Sequence, residues 1–269
     1  LVHNKGKATL YLIGDFWNMW PDVNTKNAGF FLVIVLFFII CISAGCTETA
    51  QIKDQARIAF EEGRYAQAVS LYDQAILKTG TDSELFFLKG LALFELVRYK
   101  DAIDAFTAAI RINSGYHQAW YWKGRASYMM GDYDEAVRSF YKAIELDEAN
   151  TEYWYHRGLA LSSRGQYDLA IAHFDKIIMI SPSFEDAWSS RGYAYVMEKN
   201  YTEALYSFNE ALKLNSDNAE NWINKASVLR VLGQNDEAEI AINQANLLYL
   251  KQGEDITRKI PKTPVSIIP

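Results

Sequence analysis

Residues 117–150 read HQAWYWKGRASYMMGDYDEAVRSFYKAIELDEAN, and residues 151–184, TEYWYHRGLALSSRGQYDLAIAHFDKIIMISPSF, repeat the pattern without a gap. Both have tryptophan fourth, glycine eighth and fifteenth, tyrosine seventeenth, alanine twentieth and phenylalanine twenty-fourth. The same 34-residue register extends in both directions to give six units: 49–82, 83–116, 117–150, 151–184, 185–218 and 219–252. Position 20 is alanine in all of them (Ala68, Ala102, Ala136, Ala170, Ala204, Ala238), and position 8 is always small (Ala56, Gly90, Gly124, Gly158, Gly192, Ala226). Position 4 is large (Ile52, Phe86, Trp120, Trp154, Trp188, Trp222), as is position 24 (Tyr72, Phe106, Phe140, Phe174, Phe208, Ile242). A period of this length marks stacked supersecondary units, none of which can bury its apolar face alone.

Each unit reads as a helical hairpin. The small residue at position 8 faces the alanine at position 20, so two helices approach closely, and the aromatics at 4, 17 and 24 fill the space around them. Glycine at position 15 (Gly63, Gly131, Gly165, Gly233) ends the first helix. Acids such as Asp132, Asp134 and Glu135 open the second, where the helix dipole favours negative charge. On this reading Ala136→Leu overpacks the hairpin and costs about 1–3 kcal/mol. Trp154→Ala opens a cavity and costs about 3–5 kcal/mol.

These residues, Trp-x2-(Arg/Lys)-Gly followed by Gly-x-Tyr-x2-Ala-x3-Phe-x2-Ala, resemble the tetratricopeptide repeat, over six consecutive units. Departures are local: Val97 and Lys199 replace glycine at position 15, and Asn235 and Ile242 replace the usual aromatics of the last unit. The resemblance implies an all-α fold, a right-handed superhelical solenoid of six helix-turn-helix repeats, here preceded by an N-terminal hydrophobic helix. It also implies that the first helix of each hairpin lines a concave groove. Positions 5, 9 and 12 share one helical face. That face runs from Lys53, Arg57 and Phe60 through Phe87, Leu91, Phe94, Tyr121, Arg125, Tyr128, Tyr155, Leu159, Ser162, Ser189, Tyr193 and Val196 to Ile223, Ser227 and Arg230. The groove candidates are Phe87, Phe94, Tyr121, Arg125, Tyr128, Tyr155 and Tyr193, an aromatic surface suited to an extended peptide or an amphipathic helix. Replacing Tyr121 and Tyr155 by alanine is expected to abolish capture without unfolding the array. Chaperone-binding relatives hold a C-terminal carboxylate with a lysine/asparagine clamp. Here Phe87 and Tyr121 stand at the corresponding face of the second and third units, so the clamp is not reproduced.

The run GFFLVIVLFFIICISAG at 29–45 carries no charge and suits a transmembrane or signal-peptide helix. Lys5, Lys7 and Lys26 precede it, so the repeats are expected on the outer side of a prokaryotic cell membrane. Ile42-Ser43-Ala44-Gly45-Cys46 resembles a prokaryotic lipobox, so Cys46 is a lipidation candidate, the alternative being an uncleaved anchor. Residues 1–28 form either a cytoplasmic segment or a leader that starts downstream, at Val23. Residues 253–269, with Pro261, Pro264 and Pro269, read as a flexible tail. Leu247, Leu248 and Leu250 at the end of the last unit are expected to be exposed and to offer a surface for a homodimer.

A net charge of -6 with no basic stripe argues against nucleic acid. Cys41 and Cys46 cannot build a disulfide framework or a zinc site, and no catalytic motif, metal or cofactor is expected. The three histidines within the repeats, His117, His156 and His173, fall at positions that share no face. Asn200-Tyr201-Thr202 is a glycosylation sequon. The function expected is a membrane-anchored scaffold for protein–protein interaction, with a protein or peptide partner. Alternatives are a lipoprotein assembly factor for pilus or envelope components, or an enzyme's accessory subunit without chemistry of its own.

Overall fold

The computed structural model describes residues 48–252; the apolar run 29–45, Cys46 and the tail 253–269 lie outside the described residues. The chain divides between Gln55 and Ala56 into two units. Of the first, the described residues 48–55 are helical. The second carries the repeats from Ala56 onward, and the described residues contain twelve helices and no strand. They are α1 (48–61) and α2 (Tyr65–Thr79), α3 (Ser83–Glu95) and α4 (Tyr99–Ile112), α5 (His117–Met129) and α6 (Tyr133–Leu146), α7 (Thr151–Ser163) and α8 (Tyr167–Ile180), α9 (Glu185–Met197) and α10 (Tyr201–Leu214), and α11 (Ala219–Val231) and α12 (Asn235–Gln252). Among the described residues no helix is long and apolar enough to cross a membrane.

Every hairpin turns in the same way. Position 15 takes a left-handed φ between 60° and 78°, and the next N–H returns to the carbonyl at position 11, as from Asp132 to Ser127 and from Gln166 to Leu161. A left-handed C′ residue with this bond is the Schellman closure, which explains the glycine there. Val97 and Lys199 adopt the same conformation without being glycine, so those two turns are strained.

The close approach inside each hairpin differs from the expected pairing of positions 8 and 20. A Cβ added to Gly124 would meet the Phe140 ring at 2.7 Å, and at Gly90, Gly158 and Gly192 it would meet Phe106, Phe174 and Phe208 at 2.5–2.8 Å. The small residue at position 8 therefore makes room for the ring at position 24, which is fully buried in each of these repeats. The alanines at position 20 are buried too, as close packing between helices requires.

The tryptophans at position 4 are only partly buried in three of four cases and act as staples between repeats. The Trp120 indole N–H donates to the Ser114 carbonyl at 3.1 Å, Trp154 to Glu148, Trp188 to Pro182 and Trp222 to Ser216, each at 2.9 Å. All four acceptors are position 32 of the preceding repeat. Trp154→Ala therefore removes a hydrogen bond and half-buried area rather than a sealed core side chain.

The stacking surface ends at α12. At positions 21 and 28 the first five repeats carry Val69, Ile103, Val137, Ile171, Leu205 and Ile76, Ile110, Ile144, Ile178, Leu212, which face the next hairpin; the sixth carries Glu239 and Asn246. Polar residues at these places are what a terminal repeat needs. Of the three leucines expected to be exposed, Leu247 and Leu250 are, but Leu248 is buried with Ala219 and Tyr249 against Trp222 and Ile223.

Candidate peptide-binding groove

Each helix packs on its neighbours in sequence, and the first helices of successive hairpins (α3, α5, α7, α9 and α11) also approach one another, which the second helices do not to the same extent. The first helices therefore line the inner side of the stack, as the resemblance implied. Within α5, positions 2, 9 and 13 (Gln118, Arg125, Met129) project from one face by the helical period. Positions 2 and 13 are exposed in every hairpin from α3 to α11, and position 9 is half-buried.

Position 5 is mostly used for packing. Tyr121 is buried at 4% exposure, with its ring 5.8 Å from Phe140 of its own hairpin and 4.9 Å from Tyr153 of the next. Phe87 packs in the same way on Phe106 and Tyr116, and Tyr155 on Phe174 and Phe184. The expectation that Tyr121 and Tyr155 can be truncated without unfolding is corrected. Tyr121 belongs to the apolar cluster of the third and fourth repeats and Tyr155 packs on it, because a long side chain at position 5 reaches down to position 24. Position 12 is intermediate: Phe94 lies edge-on to Tyr99 and Trp122, and Tyr128 packs on Tyr133 while its hydroxyl meets Ser163 Oγ at 3.1 Å. Arg125 and Tyr193 remain half-buried on the inner face. Exposed Met129 and Met197 extend the apolar surface at position 13.

Electrostatics follow the burial. Desolvation pushes the Tyr121 phenol well above its ordinary value, Arg125 opposing and Glu152 reinforcing the rise. Burial lowers the His156 imidazole to about 4, with the nearby Arg125 charge adding to it. His156 is stacked on Phe140 and meets Tyr121 and Tyr155 edge-on, so it is a neutral core ring. His173 is also lowered by burial, and its Nδ1 lies 2.7 Å from the Leu169 carbonyl oxygen. His117 Nδ1 lies 2.8 Å from the Tyr153 hydroxyl. Among the described residues no group of three or more His, Cys, Asp or Glu could hold a metal ion. Asn200 of the sequon is the exposed N-cap of α10, its Oδ1 accepting from the Glu203 N–H at 3.4 Å.

The side of the first helices away from the groove carries a basic row at position 7, the Arg/Lys of the repeat motif: Lys89, Lys123, Arg157, Arg191 and Lys225. Three of them are spent on acids. Lys89 meets Asp73 at 2.6 Å, Lys123 meets Glu135 at 2.7 Å and Arg191 meets Asp175 at 2.9 Å. Lys123, Arg191 and Lys225 also lie over Trp120, Trp188 and Trp222 at 5.1–5.3 Å. The i, i+3 spacing of positions 4 and 7 holds the signal that could have found this.

A stack of helical hairpins with one continuous inner face and no clustered chemistry among its described residues defines a repeat-scaffold class of protein. Family models of the tetratricopeptide repeat match residues 53–117 and, one repeat at a time and in the register read from the sequence, 117–150, 151–184 and 185–218. The chain belongs to the tetratricopeptide repeat family. The sixth repeat, 219–252, is not matched by these models but forms the same hairpin. Among solved structures, a MamA protein is similar at 25% identity and a TM-score of 0.60, over 64% of this chain and 94% of that one. YrrB, described as a TPR protein with an unusual peptide-binding site, is similar at 19% identity and a TM-score of 0.56, over 68% and 97%. The C-terminal part of a TPR repeat-containing protein from Cytophaga hutchinsonii gives 17% and 0.65, over 75% and 80%. No curated protein sequence matches the chain.

Proposed function

We propose that this protein is a non-catalytic scaffold that takes a peptide segment of a partner protein along the inner face of its first helices. The observation that carries the reading is the open stripe at positions 2, 9 and 13, where Arg125, Tyr193, Met129 and Met197 stand among half-buried aromatics. Rigid aromatic and methionine side chains beside an arginine are the residue types that dominate peptide recognition energetically. YrrB, of the same fold, is described as having a peptide-binding site, which favours the same use here.

The anchor belongs to the same proposal. The apolar run 29–45 or a lipid on Cys46 attaches the array to a prokaryotic membrane, with the repeats on the outer side. Palmitate labelling of wild type and Cys46→Ser separates a lipid from an uncleaved helix. The stripe Ile240, Leu247 and Leu250 on α12, each more than 60% exposed, supports self-association through the last repeat. Size measurement of Leu247→Glu against wild type tests it. For the groove, Met129→Glu and Tyr193→Ala are expected to weaken partner binding at least tenfold. Leu77→Glu, on the 86% exposed outer surface of α2, leaves it unchanged. Equal binding by all three variants would overturn the reading.

A further inference from the structure

Arg125 stands on the inner face, apart from the half-buried cations of the position 7 row, of which Lys225 likewise meets no carboxylate among the described residues and lies over Trp222. Lys89, Lys123 and Arg191 each meet a carboxylate at 2.6–2.9 Å. Arg125 has no carboxylate partner among the described residues, and none of its nitrogens is sealed from solvent. Its guanidinium carbon lies 4.4 Å from the centre of the Trp122 ring, 5.4 Å from Phe94 and 5.8 Å from Tyr121. Three aromatic rings hold the guanidinium while its N–H groups have no hydrogen-bond partner among the described residues, the arrangement that suits a carboxylate. Arg157 is also stacked, at 4.9 Å over Tyr141, but its Nε is sealed and it stands in the position 7 row.

The surroundings agree. Position 2 of the first helices is acidic in α3, α7, α9 and α11 (Glu84, Glu152, Asp186, Glu220) but is Gln118 in α5, the helix that carries Arg125. Among α3 to α11, α5 is the one first helix without a negative charge there to repel an incoming anion. Leu91 on α3 and Leu159 on α7, the position 9 residues to either side, continue the face as half-buried apolar side chains. A bound segment therefore runs past Arg125 in both directions, which suits a side-chain carboxylate within a segment rather than a chain terminus.

We propose that Arg125 is the anion-reading subsite of the groove, taking the side-chain carboxylate of an aspartate or glutamate flanked by apolar residues in a partner's peptide. This rests on the groove reading above. The test is selection of random peptides, displayed both as internal segments and with free C-termini, on the full chain. Wild type is expected to enrich internal segments with one acidic position between apolar ones. A synthetic copy of the selected segment with blocked termini then binds Arg125→Gln at least about tenfold more weakly, as loss of a charge-assisted pair implies, at an unchanged thermal midpoint. Arg125→Glu selects lysine or arginine at that position instead. An acidic preference that survives Arg125→Gln, selected segments with no acidic position, or enrichment only of free C-termini would each overturn the subsite while leaving the groove standing. No enrichment in either format would remove both.

Discussion

The junction between the third and fourth repeats and the one between the fifth and sixth use the same three positions in opposite ways. In the first, His117, Tyr121 and the following repeat's Tyr153 form an aromatic set, with Tyr121 and Tyr153 rings 4.9 Å apart and His117 2.8 Å from the Tyr153 hydroxyl. In the second, the equivalent residues are Glu185, Ser189 and Asn221. The Ser189 hydroxyl donates to Asn221 Oδ1 at 2.7 Å, and Asn221 Nδ2 donates to Glu185 Oε1 at 2.6 Å. Asn218 adds a donor to the same oxygen at 2.8 Å, and Asn221 is 2% exposed. The backbone of the stack accepts either solution because it demands only that the space be filled and the buried polar groups be paired. The ring at position 24 and the left-handed turn at position 15 recur with little change. What covers the junction varies from repeat to repeat, and with it the chemistry of the inner face.

The largest expected effect breaks the aromatic junction. Tyr121→Ala should cost about 3–4 kcal/mol, read as a lowered urea midpoint with early loss of hydrogen-exchange protection in α5 and α7. An unchanged midpoint would return Tyr121 to the groove. At the polar junction Asn221→Leu should cost about 2 kcal/mol, since Ser189 and Glu185 each lose a partner while Asn218 still serves the carboxylate. Protection should fall first in α11 and α12. A neutral result would mean that the polar set is not needed to close the junction.

Acid should separate the two regions. The folded His156 titrates at about 4 against an ordinary 6.5, so between those values the unfolded chain binds more protons and stability drops as pH is lowered. The contribution is complete above about 6.5 and is lost as pH falls toward 4. It amounts to about 1–2 kcal/mol once the ring's partial exposure is allowed for. Buried His173 acts in the same direction. His156→Phe should flatten the profile of the aromatic junction, and an unaltered slope would contradict its burial as a neutral ring. The smallest effect is a gain. Val97→Gly should raise stability by about 1 kcal/mol by relieving a left-handed β-branched residue, and Lys199→Gly should do somewhat less. Both read as raised thermal midpoints.

The hairpins, their register and the family were legible because each repeat restates the same constraint. A ring at 24 needs a small residue at 8, and a left-handed turn favours glycine at 15. The groove was legible only in part. Positions 5, 9 and 12 share a helical face, but periodicity cannot tell that a tyrosine at 5 is long enough to reach position 24 and be buried there. Nor could it show that positions 2 and 13 are the open edges. The tryptophan staples were hidden for another reason: their acceptors are main-chain carbonyls of the preceding repeat, which leave no trace in residue type. The last leucines divided between core and surface by the same distinction between spacing and reach.

Hydrogen exchange on the full chain, with and without a peptide selected by it, tests the central claim most directly. The account predicts new protection along α3, α5, α7 and α9, centred on the helix of Arg125, with α4, α6 and α8 unchanged. Protection confined to those second helices, or to the outer surface of α12, would contradict it.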